Sequence, residues 1–185
     1  MNTMIDEDDV LDLDMDDVEA EPEFIDPTAG HYRFRIPQVG LISYDKKPNK
    51  DEGESEEDVQ GQKEFMSRFT YQIVQILEAK DPAPPLGSLC SEPFGFQKKG
   101  KGYLKTRLIK LLGNDAVRGK QLRGMFEAVE EKFDTDYLMD AFVSIYKDKK
   151  GIDRYKLNGI SVIKAEDAKG YDPDEVTFWY PSQQG

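Results

Sequence analysis

The chain is short of the residues from which most catalytic and metal sites are built. Among its 185 residues there is one cysteine, Cys90, one histidine, His31, and one tryptophan, Trp179. A single cysteine excludes a disulfide within the chain, and one cysteine with one histidine excludes Cys-rich and two-histidine zinc sites in a single protomer. No run approaches the roughly 18 consecutive apolar residues of a membrane-spanning helix. The N-terminus is acidic where a secretory signal would begin with positive charge. These absences predict a cytoplasmic protein with one modest core and no membrane partner. A Ser-His-acid triad would have to use His31, which lies in an alternating segment beside arginines with no nucleophile elbow in view. His31 therefore reads as an ordinary strand residue and Cys90 as a small buried filler. The runs Asp12-x-Asp14-x-Asp16 and Asp172-x-Asp174 lack the glycine and final glutamate of a calcium loop. No catalytic residue, cofactor or metal is expected, and the chain is read as not an enzyme.

What the chain has in excess is charge, and it is segregated. The formal net charge is −12, but residues 1–30 hold 12 acids and no Lys or Arg, which leaves 25 acids against 25 bases in the rest. Asp51 to Asp58 adds six acids in eight residues, whereas Lys98 to Arg123 carries nine bases and one acid, Asp115. A purely acidic block joined to a body with a basic region competes with polyanions for that region or docks on a basic partner; it also keeps a protein soluble.

Residues 1–30 mix those acids with Ile5, Val10, Leu11, Leu13, Met15, Val18, Phe24 and Ile25. The segment is too charged to fold alone yet apolar enough to anchor to a partner, so a disordered acidic arm is expected. A domain follows over 31–168, in which His31 to Ile36 alternates with period two. Tyr32, Phe34 and Ile36 fall on one face and Arg33 and Arg35 on the other, which predicts a half-buried strand with an arginine-bearing open face. Residues 45–61 lack periodicity and predict an acidic mobile loop. Phe65 to Leu77 reads as a long strand, apolar on both faces at its end, and Asp81-Pro-Ala-Pro-Pro85 breaks it. Leu104, Leu108, Leu111 and Leu112 are spaced as a helix face that Gly113 ends, and Leu122, Met125, Phe126, Val129 and Phe133 suggest a second helix, although strand propensity competes there. Tyr137 to Lys147 and Tyr155 to Ile163 predict a hairpin with a basic loop. Residues 169–185 form an aromatic tail, whose Thr177-Phe-Trp-Tyr-Pro181 is expected to pack on the core, since three contiguous exposed aromatics invite aggregation.

Gly95-Phe-Gln-Lys-Lys-Gly100-Lys101 has the spacing of a phosphate-cradling P-loop, but Gly102 stands where magnesium would need Ser or Thr. A flexible basic loop is the better reading, with Phe94, Phe96 and Tyr103 interleaved among Lys98, Lys99 and Lys101. Aromatic faces stack on unpaired bases at about 1–3 kcal/mol per base while ammonium groups neutralise phosphates, so this mixture suits single-stranded nucleic acid. The competing reading is a solvated lysine loop anchored by its aromatics. Arg33, Arg35, Arg68 and the 147–154 loop with Lys149, Lys150 and Arg154 offer the same chemistry, with Phe142 and Tyr146 as further stacking candidates. The expected fold is α+β and β-rich: an OB-like small barrel with one or two amphipathic helices, a fold that gathers such elements into an oligonucleotide groove.

The order of features also resembles a known group. Gly87-Ser-Leu-Cys90 after a long strand, the basic helix Lys101 to Gly113, Gly119-Lys-Gln-Leu-Arg-Gly124 and Tyr155-Lys-Leu-Asn-Gly-Ile160 in a closing hairpin look like the small OB-fold proteins that tailed bacteriophages encode near their replication and recombination genes. The resemblance spans roughly residues 31–167. It implies single-stranded DNA binding in the bacterial host cell, with an acidic tail that screens the groove or docks replication or host proteins. A second expectation is an acidic interaction or inhibitor module that occupies a host nucleic-acid enzyme through charge mimicry. The sequence leaves the oligomeric state open.

Overall fold

A computed structural model of the chain describes residues 22–80 and 82–181. Four of the segments read as strands become β1 (Gly30–Asp45), β2 (Lys63–Ala79), β4 (Tyr137–Lys147) and β5 (Asp153–Lys164), and a strand not expected from the sequence, β3 (Leu89–Gly95), joins them. They form one sheet in the order β3-β2-β1-β4-β5, antiparallel throughout. The fold is α+β and β-rich. Phe34 stands opposite Ile73 on β2 and Met139 on β4, and Tyr32 opposite Ala141, so the apolar face read from the sequence is the core face. β1 pairs with β4 only from Gly30 to Phe34. Beyond that, the register slips between Arg35 and Gln38. Pro37 lies in this slip and has no N–H for a ladder, and the Ile36 N–H turns to the Phe133 carbonyl at 3.2 Å.

Among the described residues, four α-helices accompany the sheet: α1 (Glu56–Val59), α2 (Lys98–Leu112), α3 (Asn114–Val117) and α4 (Leu122–Lys132). α2 buries Leu104, Leu108 and Leu111, and α4 buries Phe126 and Val129. Both rest on the core face, and the choice between helix and strand at 122–133 goes to helix because the buried residues recur at helical spacing. The second face of the sheet carries a smaller cluster of Val74, Leu138, Ala168 and Val176, with Tyr171 and Phe178 against it. This explains why the end of β2 is apolar on both sides. None of the described helices is long and apolar enough to cross a membrane.

Several expectations need correction. The face of β1 that carries Arg33 and Arg35 is not open, because residues 165–181 run across it. Within residues 45–61 a short 3-10 turn (Lys50–Glu52) precedes α1, whose N-cap Ser55 forms a reciprocal capping box with Asp58, and Val59 is buried. The arm does not extend to residue 30. The Ile25 N–H donates to the Leu89 carbonyl at 2.8 Å, and Thr28 bonds the Tyr32 hydroxyl. The rest of the acidic segment, 1–21, lies outside the described residues.

The sheet is not closed into a barrel. β3 and β5 are its two edges, and no ladder joins them. The physical reason is that the outer edge of β3 has no ladder to offer. The Leu89 carbonyl is taken by Ile25, and both backbone groups of Ser91 are taken by the Tyr155 hydroxyl. Pro93 has no N–H at all, which is tolerated on an edge strand. α2 packs against both β3 and β5 and covers the opening from within.

Candidate nucleic-acid interface

The gap between the two sheet edges is a groove of about 780 Å³. One wall is Glu92, Pro93 and Phe94 of β3, and the other is Lys156 to Ile160 of β5 with Ser144 and Tyr146 of β4. α2 supplies Tyr103, Thr106, Arg107 and Lys110. Tyr103 is 66% exposed and Tyr146 51% exposed, and both line the groove. Two of the expected stacking residues, distant in sequence, are thus brought together.

Beneath them lies a buried polar knot. Arg107 donates to Glu92 and, at 2.8 Å, to the Tyr71 hydroxyl, which donates to Glu92 at 2.7 Å. Burial pushes the Tyr71 phenol well above its ordinary value, and the neighbouring Glu92 carboxylate adds to this. The Arg107 charge is already neutralised, so its place is to pin α2 to the sheet under the groove. The cations that face solvent here are Lys110 and Lys156.

The other expected contacts divide into three groups. Phe96, Lys98 and Lys99 line a second cleft of about 750 Å³ with Tyr44, Phe65 and Met66, at the end of the β1–β2 ribbon. Lys101 stands beside Phe96 in a shallower hollow over α2 and the α3–α4 connection. The spacing from Lys99 to Tyr103, Thr106 and Lys110 is four, three and four, which places all four on one stripe of α2 and carries the surface from the second cleft into the groove. In the β4–β5 loop, Lys147 pairs with Asp153 at 2.7 Å and Arg154 with Asp148 at 3.1 Å. Lys149 and Lys150 are exposed and form no ion pair among the described residues.

Arg33, Arg35, Arg68 and Phe142 sit elsewhere. Arg33 donates to Asp140 at 3.2 Å and to Gln75 at 2.8 Å. Arg35 is fully buried; it bonds Asp134, Gln72 and the Trp179 carbonyl and lies between the rings of Phe178 and Tyr180, at 4.5 and 4.6 Å. It anchors the aromatic tail, of which Phe178 packs against the second cluster while Tyr180 is 55% exposed. Arg68 lies 5.1 Å from the centre of the Phe24 ring. Phe142 stacks on His31 at 4.0 Å, and His31 bonds Asp140, so both belong to the outer face of β1 and β4. Lys110, Lys156 and Asn158 are groove residues the sequence reading did not single out; the four-three-four stripe on α2 was the available signal for Lys110. Among the described residues no group of three or more His, Cys, Asp or Glu is placed to hold a metal ion.

No family model, curated protein or solved structure matches the chain.

Proposed function

We propose that the protein binds single-stranded DNA in the groove between β3 and β5, as the small OB-fold proteins of phage replication and recombination do, in the cytoplasm of a bacterial host. The observation that carries the reading is the pair of exposed tyrosines, Tyr103 and Tyr146, over one open groove with Lys110 and Lys156 beside them. Unpaired bases stack on such rings while lysines meet the phosphates. Lys98, Lys99, Lys149 and Lys150 extend the cationic surface at the two ends. Five antiparallel strands with β1 between β2 and β4, and a helix between β3 and β4, support an OB-like assignment, a fold described as a partly open Greek-key barrel. In this reading the acidic segment screens the groove or docks replication or host proteins. A second reading, an acidic module that occupies a host nucleic-acid enzyme, draws support from Asp51, Glu52, Glu56, Glu57 and Asp58, all exposed around α1.

The test is fluorescence anisotropy of labelled oligo-dT with the full chain at several salt concentrations. Log affinity should fall by about 0.7 per phosphate contact per log unit of salt. Tyr103→Ala and Tyr146→Ala should each weaken binding by about tenfold or more. Absence of binding, or a salt slope near zero with both alanine variants unchanged, refutes the groove and favours the acidic module.

A further inference from the structure

We propose that Tyr155 is the residue that sets the width of the groove and, through it, the preference for single-stranded over duplex DNA. This rests on the reading of the groove as a DNA site. No ladder joins the two edges of the sheet. β3 and β5 are opposite edges of one sheet, yet they stand close enough to wall a single groove. Among the described residues, the only hydrogen bonds that join the two strands are those of the Tyr155 hydroxyl with Ser91. It accepts from the Ser91 N–H at 3.1 Å and donates to the Ser91 carbonyl.

The positions matter as much as the bonds. Ser91 immediately precedes Glu92, where the β3 wall begins, and Tyr155 immediately precedes Lys156, where the β5 wall begins. One side chain therefore ties the two walls together at one end. A normal ladder would spread that constraint over several residues; here it is concentrated in one hydroxyl. The ring itself packs on the core, and α2 contacts both strands, so loss of the hydroxyl loosens the walls without removing the packing that holds the fold.

Groove width decides what can enter. A single strand turns its bases outward and can place them on Tyr103, on α2, which Arg107 pins to Glu92 of the β3 wall, and on Tyr146, on β4 in the opposite wall. A duplex keeps its bases paired inside and presents only backbone and groove edges. Walls held at a fixed separation favour the first ligand. Walls free to part lose the matched pair of stacking contacts but keep their lysines, so backbone binding, common to both ligands, survives.

Tyr155→Phe removes the hydroxyl and keeps the ring. In the full chain we expect the Ser91 amide to exchange with solvent at least about tenfold faster, while amides of Phe34 and Ile73 in the sheet interior keep their protection. In parallel, affinity for oligo-dT should fall about tenfold with little change for a blunt duplex of the same length, so the ratio of the two falls about tenfold. Faster exchange at Ser91 with an unchanged ratio makes Tyr155 a structural tie only and overturns the proposal. An equal loss for both DNA forms also overturns it, since it points to general loss of the groove. A wild-type chain that binds neither DNA overturns the groove reading and this proposal with it, whereas wild-type binding with an unselective contribution from Tyr155 overturns the proposal alone.

Discussion

Replacing Arg35 with methionine should unmake the C-terminal half of the second sheet face while leaving the groove in place. The side chain is 1% exposed and its guanidinium is engaged on every side: Asp134 Oδ1 at 2.8 Å, the Asp134 carbonyl at 3.1 Å, Gln72 Oε1 at 3.2 Å and the Trp179 carbonyl at 2.6 Å. Methionine fills much of the stem volume, so the loss is chiefly polar. Asp134 is 45% exposed and can return to water, which limits its share. Gln72 Oε1 still accepts from the Trp179 N–H at 3.1 Å, whereas the Trp179 carbonyl loses its charged donor. Hydrogen bonds to a charged group contribute about 1.5–3 kcal/mol each, and breaking a buried pair costs about 3–5 kcal/mol. The cation–π contacts with Phe178 and Tyr180 add to the loss but are not independent of it. A destabilisation of about 3–5 kcal/mol is the expected result, read from urea unfolding. Trp179 is the only tryptophan and sits on the tail, so its emission reports the local event directly. It should shift to the red in the variant before urea is added. A loss under about 1 kcal/mol with unchanged emission refutes the anchoring role. A salt-dependent loss of DNA affinity at unchanged stability would return Arg35 to the phosphate contacts expected from sequence.

Two further predictions concern buried geometry. A Cβ on Gly100 would stand 2.2 Å from the Gly95 carbonyl, whereas one on Gly102 would meet nothing within 4 Å. Gly100→Ala should therefore destabilise by about 1–3 kcal/mol or more, and Gly102→Ala, in the same helix, should stabilise by up to about 1 kcal/mol, both read as shifts in urea midpoint; equal effects would mean that the turn relaxes freely. Burial pushes the Cys90 thiol well above its ordinary value, with Glu92 and Asp26 adding to it. Native Cys90 should stay inert to a thiol reagent at pH 8 and react once urea unfolds the chain. Because the folded thiol ionises later than the unfolded one, its contribution is present below the ordinary thiol pKa and declines as pH rises above it, by at most about 1.4 kcal/mol per pH unit. Rapid labelling of the native protein refutes this.

Periodicity revealed which residues share a face, but not what covers that face. Tyr32, Phe34 and Ile36 are core as their alternation indicated, and the helices at 98–112 and 122–132 follow their leucine and phenylalanine spacing. The same alternation placed Arg33 and Arg35 together, correctly, yet their partners are Asp140, Gln75, Asp134 and Trp179, all more than 35 residues away in the chain. Nothing local distinguishes an arginine awaiting phosphate from one awaiting a distant carboxylate. The glycine pair at 95 and 100 was legible as a motif but not as a close approach of helix to strand, which depends on a contact between two elements.

β3 escaped notice because Glu92 and Pro93 interrupt its apolar run, and a proline argues against a central strand. The strand is an edge, where that objection has no force. With no N–H on Pro93, and with Ser91 occupied by Tyr155, the outer side of β3 cannot continue the sheet to β5. The gap that remains is the groove. The residue that hid the strand from the sequence thus helps keep the sheet open, and a chain that paired β3 with β5 along their length would have no room for Tyr103 and Tyr146 to share a ligand.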